Sequence, residues 1–430
     1  MMNGIKRAIS LLAAGALGMF LSACALGGGD YLNTVGGDEP SHDSSKTVSL
    51  NVFTLFEEEE YHTLVDDFAR QNPDIIINQQ VHSGGEDATQ SLTLQLDSED
   101  APDIVFFYTG ESAAQLVQEG LFVPVSEIRR DFADYAGDIL PAAIHSAAGT
   151  GAETGTYAVP VRGFYEGLFI NTDLFDEYDV ALPDTWGALL HAIDVFAAAD
   201  ILPVATSLSQ TPHYLLDHLI LAEGGAGDFG SLPANADEVR KSWYAAFDRL
   251  SVLYEHRAFG TEADTLSDAQ ATELFLTNRA AMRPDGSWLA ARLAEEGRAE
   301  STAVLPFTGV PGGTLVGGFT SGYYITRSAW EDGFKREAAV RFVNAMTSRQ
   351  SVDKLCGIQH LPAASVAAPE NQSALWQSAN RLCCAMDTII LPLDARIQGD
   401  VWGAITQDAI AIARGKASAH EVVSGAFAQS

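Results

Sequence analysis

Positive charge is scarce in this sequence. Its 430 residues hold 25 lysines and arginines against 57 aspartates and glutamates, a formal charge of −32. A surface this acidic repels nucleic acid and anionic lipid headgroups, which excludes a charge-driven nucleic-acid binder. Screening confines that field to about 8–10 Å, so the excess serves solubility more than attraction of solutes. Cysteine is also scarce, with four in the chain, and no Cys or His spacing has the pattern of a zinc site. Neither a metal nor a cofactor is expected. Catalytic signatures are missing: there is no Gly-x-Ser-x-Gly elbow, Walker-type phosphate loop, His-Glu-x-x-His or Gly-x-Gly-x-x-Gly after a strand. No internal repeat is found, and no stretch of the chain is long and apolar enough to span a bilayer.

What is present starts at the amino terminus. Lys6 and Arg7 precede an uncharged apolar run from Ile9 to Phe20, and small residues follow. This is the three-part layout of a secretory signal over residues 1–23. The segment ends Leu21-Ser22-Ala23-Cys24, which resembles the lipobox of bacterial lipoproteins. That resemblance implies cleavage before Cys24 and a diacylglycerol on its thiol, so the protein is expected outside the cytoplasm, anchored to the cell membrane by its lipid. Residues 24–46 carry that cysteine and a Gly-, Ser-, Asp- and Asn-rich tether, whose r.m.s. span as a flexible coil is roughly 25 Å. Removal of the signal leaves 23 basic against 57 acidic residues, a charge of −34. Among the other cysteines, Cys356 can pair with Cys383 or Cys384 in an oxidising compartment, closing a loop worth roughly 3–4 kcal/mol. The alternative is burial as free thiols.

The remaining chain reads as α/β. Val48 to Phe56 alternates like a strand. Tyr61, Leu64, Val65 and Phe68 fall at helical spacing, and Asn72-Pro73 stops that helix. Strands follow at 75–79 and 102–107, with a helix at about 87–98 between them. Further strands are expected at 157–160, 167–171 and 202–205. Thr185 is an expected N-cap for a helix with Trp186, Leu189, Leu190 and Ile193 on its buried face. Helices are expected at 235–257, 334–354 and 400–428. This alternation argues for parallel sheets covered by helices.

In open parallel sheets, ligands bind beyond the carboxyl ends of strands. Phe56 and Glu57 stand at the end of the first strand, and Phe107 and Tyr108, with Glu111 nearby, at the end of the third. Adjacent aromatics on a strand point to opposite faces, which would place one in the core and one at a crevice. An aromatic face beside carboxylates suits a sugar, stacking on its C–H face while acids accept its hydroxyl hydrogens. The acidic run Glu57 to Glu60 cannot converge on one ligand, because helix neighbours point about 100° apart. It suits an anionic first helical turn.

Several blocks together resemble the extracellular solute-binding proteins of ABC importers, in the sugar-binding group that includes maltose-binding protein. They are Asn72-Pro73-Asp74-Ile75, Ala101-Pro102-Asp103-Ile104-Val105 with Glu119 to Val125, and Tyr157-Ala158-Val159-Pro160 with Leu168 to Phe175. Leu182 to Trp186, Ala280-Ala281-Met282 with Gly286-Ser287-Trp288, and Leu305-Pro306-Phe307 with Gly317-Gly318-Phe319 follow in the same order. The resemblance implies a two-lobed, periplasmic-binding-protein-like fold of type II, with crossing strands as a hinge near 160–166, 276–282 and 322–328. The lobes implied are 47–163 plus 279–324 and 164–278 plus 325–430.

The resemblance also implies a monomer that captures a mono- to oligosaccharide without transforming it and delivers it to ABC permease subunits. Its crevice residues carry over to Trp288 with Asp285 beside it, Tyr165 and Glu166, Gln210, His213, Tyr214, Phe319 and His360. The paired glycines before Phe319 permit close backbone approach, whereas Trp186 belongs to a structural helix start. Many sugar binders carry an early crevice Trp; Phe56, Phe107 and Tyr108 stand in comparable places, which points to a shorter ligand or other stacking. A surface glycoside hydrolase, needing two carboxylates ~5–9.5 Å apart, and a peptide or polyamine binder are the competing readings.

Overall fold

The computed structural model describes residues 47–428 apart from 83–85, 97, 99, 149–155, 261–264, 367–371 and 398. The expected signal segment, Cys24 and the expected tether to residue 46 lie outside the described residues, as does Glu111's side chain.

Eleven strands are described: β1 (Val48–Thr54), β2 (Ile75–Val81), β3 (Ile104–Tyr108), β4 (Arg162–Asn171), β5 (Leu202–Val204), β6 (Ala280–Gly286), β7 (Thr302–Leu305), β8 (Thr314–Gly318), β9 (Ser321–Ile325), β10 (Leu361–Pro362) and β11 (Thr388–Ile390). They form two sheets. The first has the order β2-β1-β3-β9, with β1 parallel to β2 and β3, and β9 antiparallel to β3. The second runs β11-β8-β4-β6-β5, with β7 and β10 also paired to β4. Both are mixed, because β9 and β4 are return strands that run against their neighbours.

Local signals formed as the periodicity predicts. Tyr61, Leu64, Val65 and Phe68 are the buried residues of the Glu59–Gln71 helix, which ends at Asn72 before Pro73. Phe68 meets Phe342 of the Gly333–Met346 helix edge-on, with centroids 5.2 Å apart. Thr185 caps the Trp186–Ala198 helix by accepting from the Ala188 N–H at 3.2 Å. Trp186 itself is half-buried, with the Arg249 guanidinium 4.5 Å over its ring.

Other boundaries moved. Residues 157–160 make only an isolated bridge, Val159 to Tyr323, and the following strand starts at Arg162. The expected 334–354 helix breaks at Thr347, where Ser348 caps a new Arg349–Leu355 helix. The expected helix from 235 starts only at Lys241.

One correction concerns lobe membership. The expected lobes join residues 279–324 to 47–163, yet within that span β6, β7 and β8 hydrogen-bond to β4 in the second sheet. The chain changes sheets between Val159 and Arg162 and again between Gly318 and Ser321. It returns once more after the Arg349–Leu355 helix, whose Val352 and Leu355 join the first core, to reach β10 beside β4. Strand order is decided by pairing across a hundred or more residues, which local pattern does not encode.

Glycine makes the crossing possible. A Cβ on Gly163 would stand 2.2 Å from the Gly318 carbonyl oxygen, and one on Gly317 would stand 2.4 Å from that of Phe164. Each half has its own apolar core, one including Leu50, Val52, Phe53 and Phe106, the other Leu215, Leu219, Trp243 and Phe247.

Candidate ligand-binding site

Strand geometry sorts the residues of β4. Side chains alternate between faces, so Phe164 and Glu166 share one side and Tyr165 takes the other. Tyr165 is fully buried and its hydroxyl donates to the Ile358 carbonyl at 3.0 Å. Phe164 is half-buried, with its ring 6.1 Å from that of Trp288.

Trp288 opens the helix Trp288–Glu295 directly after β6. It is 45 % exposed, unusual for so large an aromatic side chain on a buried frame. Its indole Nε1 donates to Asp285 Oδ1 at 2.8 Å. The same oxygen accepts from the Gly286 N–H at 2.7 Å, while Oδ2 accepts from Arg283 Nε at 2.6 Å. Arg283, 1 % exposed, also donates to Asp268 Oδ1 at 2.8 Å. Asp268 begins the helix Asp268–Leu276; its side chain accepts from Thr211 at 2.8 Å, and its N–H donates to Gln210 Oε1 at 2.9 Å. The indole is therefore held at the end of a chain of charge-assisted bonds. Its ring folds over Gly286, where a Cβ would lie 2.0 Å from ring carbon. Tyr214 completes the aromatic surface, 5.7 Å from Trp288, with His213 4.2 Å from Tyr214.

Charge in this region is predominantly negative. Burial pushes Glu166 well above the usual carboxylate range, and Asp217, Asp394 and Asp285 push it further. Burial raises Asp285 too, only partly offset by Arg283. For Asp268, burial is opposed and outweighed by Arg283, so its carboxyl stays below the usual value. The Tyr214 phenol is raised by burial and by the carboxylates of Asp285, Glu166, Asp268 and Asp394. Burial lowers His213, and lowers His218 to about 4.

The structure thus brings together Glu166, His213, Tyr214, Asp285 and Trp288, with exposed Gln210 linked through Asp268. Other expected residues lie elsewhere. Phe56 is 0 % exposed, stacked 4.1 Å from Phe106 and 4.9 Å from Tyr61, so it is a core residue with no face to offer. Phe107 is also 0 % exposed, leaving Tyr108 as the half-buried member of that pair. Phe319 is buried, and its carbonyl accepts from Thr109 at 3.0 Å. Glu57 is exposed. His360, half-buried and pushed down to about 4 by burial and Arg162, accepts the Gly357 N–H at 3.1 Å.

Residues not anticipated include Phe164, Arg162, Arg283, Asp217 and His218. Phe164 was legible, since it is two residues before Glu166. Arg162 pairs with Glu58, lies 4.8 Å over the Phe56 ring and donates to the Leu355 carbonyl at 3.3 Å. Of the two readings left open, pairing of Cys356 with Cys383 or Cys384 is not formed; Cys356, Cys383 and Cys384 are free thiols. Cys356 and Cys383 line one cavity of about 30 Å³, but sequence spacing does not supply the Cβ geometry that a bond needs. Among the described residues, no His, Cys, Asp or Glu group is arranged to hold a metal, and no helix is long and apolar enough to cross a membrane.

The family model for bacterial extracellular solute-binding proteins matches residues 63–382. A comparison with curated proteins finds no match. Solved structures do match. A probable secreted solute-binding lipoprotein from Streptomyces coelicolor is 21% identical with a TM-score of 0.75, over 90% of this chain and 99% of that one. The bacterial solute receptor AcbH, described as preferring galactopyranose, is 14% identical with a TM-score of 0.69, over 89% and 97%. The solute-binding protein RafE in complex with raffinose is 19% identical with a TM-score of 0.58, over 89% and 99%.

Proposed function

Because the chain belongs to the bacterial extracellular solute-binding proteins, we propose that it is a lipid-anchored receptor that captures a mono- to oligosaccharide and hands it to an ABC permease. Its two sheets are the two lobes of the periplasmic-binding-protein-like fold. The observation that carries the carbohydrate reading is Trp288: a half-exposed indole, fixed through Asp285 and Arg283, beside Tyr214 and Phe164. A rigid aromatic plane takes the C–H face of a sugar ring, and pre-ordering the plane lowers the entropy lost on binding. The raffinose and galactopyranose of the similar structures support the same ligand class.

In this reading the receptor is a monomer and carries out no reaction. The lobes close on the sugar, and the closed shape is stabilised only when both touch it. Cys24 carries the lipid, and the tether keeps the body within reach of the permease. Thermal-shift and calorimetric titration against galactose, raffinose, xylo-oligosaccharides and a panel of amino acids, peptides and polyamines test it. Saturable binding of a sugar with a raised melting temperature is expected. Binding of only a peptide or polyamine would overturn the carbohydrate assignment. Cys24→Ala is expected to release the protein from cells into the medium, and retention at the membrane would refute the anchor.

A further inference from the structure

Three buried polar atoms behind the aromatic surface have no role in holding Trp288. Glu166 on β4 is 1 % exposed, and Asp217 and His218 on the His213–Gly230 helix are 0 % and 3 % exposed. Asp217 Oδ2 accepts from the Leu393 N–H at 3.0 Å. Its Oδ1, Glu166 Oε2 and His218 Nε2 have no hydrogen-bond partner among the described residues. Glu166 Oε2 faces His218 Nε2 at 3.9 Å. That separation is too long for a hydrogen bond, yet it lets a third atom stand within reach of both.

The charge balance is also incomplete. Glu166 lies in the field of Asp217, Asp285 and Asp394. Of the guanidiniums nearby, Arg283 is bound to Asp285 and Asp268, and Arg396 donates to the Phe229 and Gly230 carbonyls at 2.8 and 3.3 Å. Five carboxylates, those of Glu166, Asp217, Asp268, Asp285 and Asp394, thus face two guanidiniums. Burying carboxylates without partners is costly, and the remaining deficit is met by a proton or a cation. The described residues form no metal cluster. A primary ammonium, by contrast, brings one positive charge and three N–H donors. Glu166 Oε2 and the neutral His218 imidazole nitrogen offer it two facing acceptors, whereas a sugar hydroxyl supplies one donor and no charge.

We propose that the facing Glu166 and His218, with the carboxylate of Asp217 nearby, form a subsite for a protonated primary amine, so that the ligand is an amino sugar whose ring lies on Trp288. The ring half of this rests on the carbohydrate reading; the amine half stands on the unpartnered Glu166 and His218 atoms that face each other. The subsite is closed to solvent in this structure, so admission of the ligand needs the side chains over it to move aside.

The test is calorimetric titration of the full-length protein, in detergent, with glucosamine, N-acetylglucosamine, glucose, their β-1,4-linked disaccharides and putrescine. The free amine is expected to bind at least ~10-fold more tightly than the acetylated or hydroxyl form, a difference of about 1.4 kcal/mol. Glu166→Gln and Asp217→Asn should each shrink that preference to within about threefold, at unchanged or raised melting temperature, since each replaces a buried carboxyl whose ionised form burial disfavours. Equal affinity for neutral and amino sugars overturns the amine subsite and leaves the carbohydrate reading intact. Putrescine binding with no sugar binding supports the amine subsite and overturns the carbohydrate reading. Should wild-type protein bind none of the probes, the amine subsite falls, and the galactose, raffinose and xylo-oligosaccharide titrations decide the carbohydrate reading separately.

Discussion

Trp288→Ala tests the aromatic platform most directly. The wild-type side chain is 45 % exposed. A free tryptophan side chain offers ~250 Å², so roughly 110 Å² remains for a ligand to cover. At about 25 cal/mol per Å², covering it contributes up to ~2.8 kcal/mol. Ordering the ligand offsets part of that, so truncation should weaken binding by about tenfold to a hundredfold. Stability should change little. Without the indole, Asp285 keeps Arg283 Nε at 2.6 Å and the Gly286 N–H at 2.7 Å, so no buried charge is stranded. A melting shift within about 3 °C is therefore expected. Calorimetric titration with whichever sugar binds the wild type, paired with a thermal melt, reads both quantities. Unchanged affinity in a protein that melts normally would refute the platform assignment.

Gly286→Ala should reduce affinity without unfolding the lobe, because the added methyl meets the Trp288 indole at 2.0 Å and displaces that side chain rather than backbone; Gly163→Ala meets backbone at 2.2 Å and should lower the melting temperature instead. The reverse pattern in paired melts and titrations would show that the indole is not the element that gives way. A thiol reagent should label Cys384 in the native protein, and Cys356 and Cys383 only after denaturation, since burial hides the latter and raises both. A denatured, unreduced sample lacking these two thiols would mean that they pair after all. His218 falls from 6.5 unfolded to about 4 folded, so its contribution is fully present above 6.5 and is lost as pH falls towards 4. Glu166 is raised and acts in the opposite sense, gaining on acidification. His218→Gln should therefore flatten the acid limb of melting temperature against pH and Glu166→Gln should steepen it; parallel curves would refute both assignments.

Much of the local structure was legible from spacing. The face formed by Tyr61, Leu64, Val65 and Phe68, the stop at Asn72-Pro73 and the Thr185 cap each depend on neighbours within about four residues. The Gly-Ser-Trp block pointed to Trp288, and the paired glycines pointed to a close backbone crossing that the structure contains. Phe56 and Phe107 looked equally suited to a crevice, because a strand end says where a residue sits but not what covers it.

The acidic composition, the apolar run before Cys24 and the α/β rhythm are properties of composition and short-range order, and the sequence by itself determined them. Tertiary structure alone decided which sheet receives β6, β7 and β8, and that Phe56 lies under Arg162 in the core. It also decided that Arg283 joins Asp268 to Asp285, and that Glu166 meets His218 across 52 residues at 3.9 Å. The physical reason is that periodicity reports a residue's own turn or strand, while a binding site is made by pairing and packing between segments that the chain brings together only on folding.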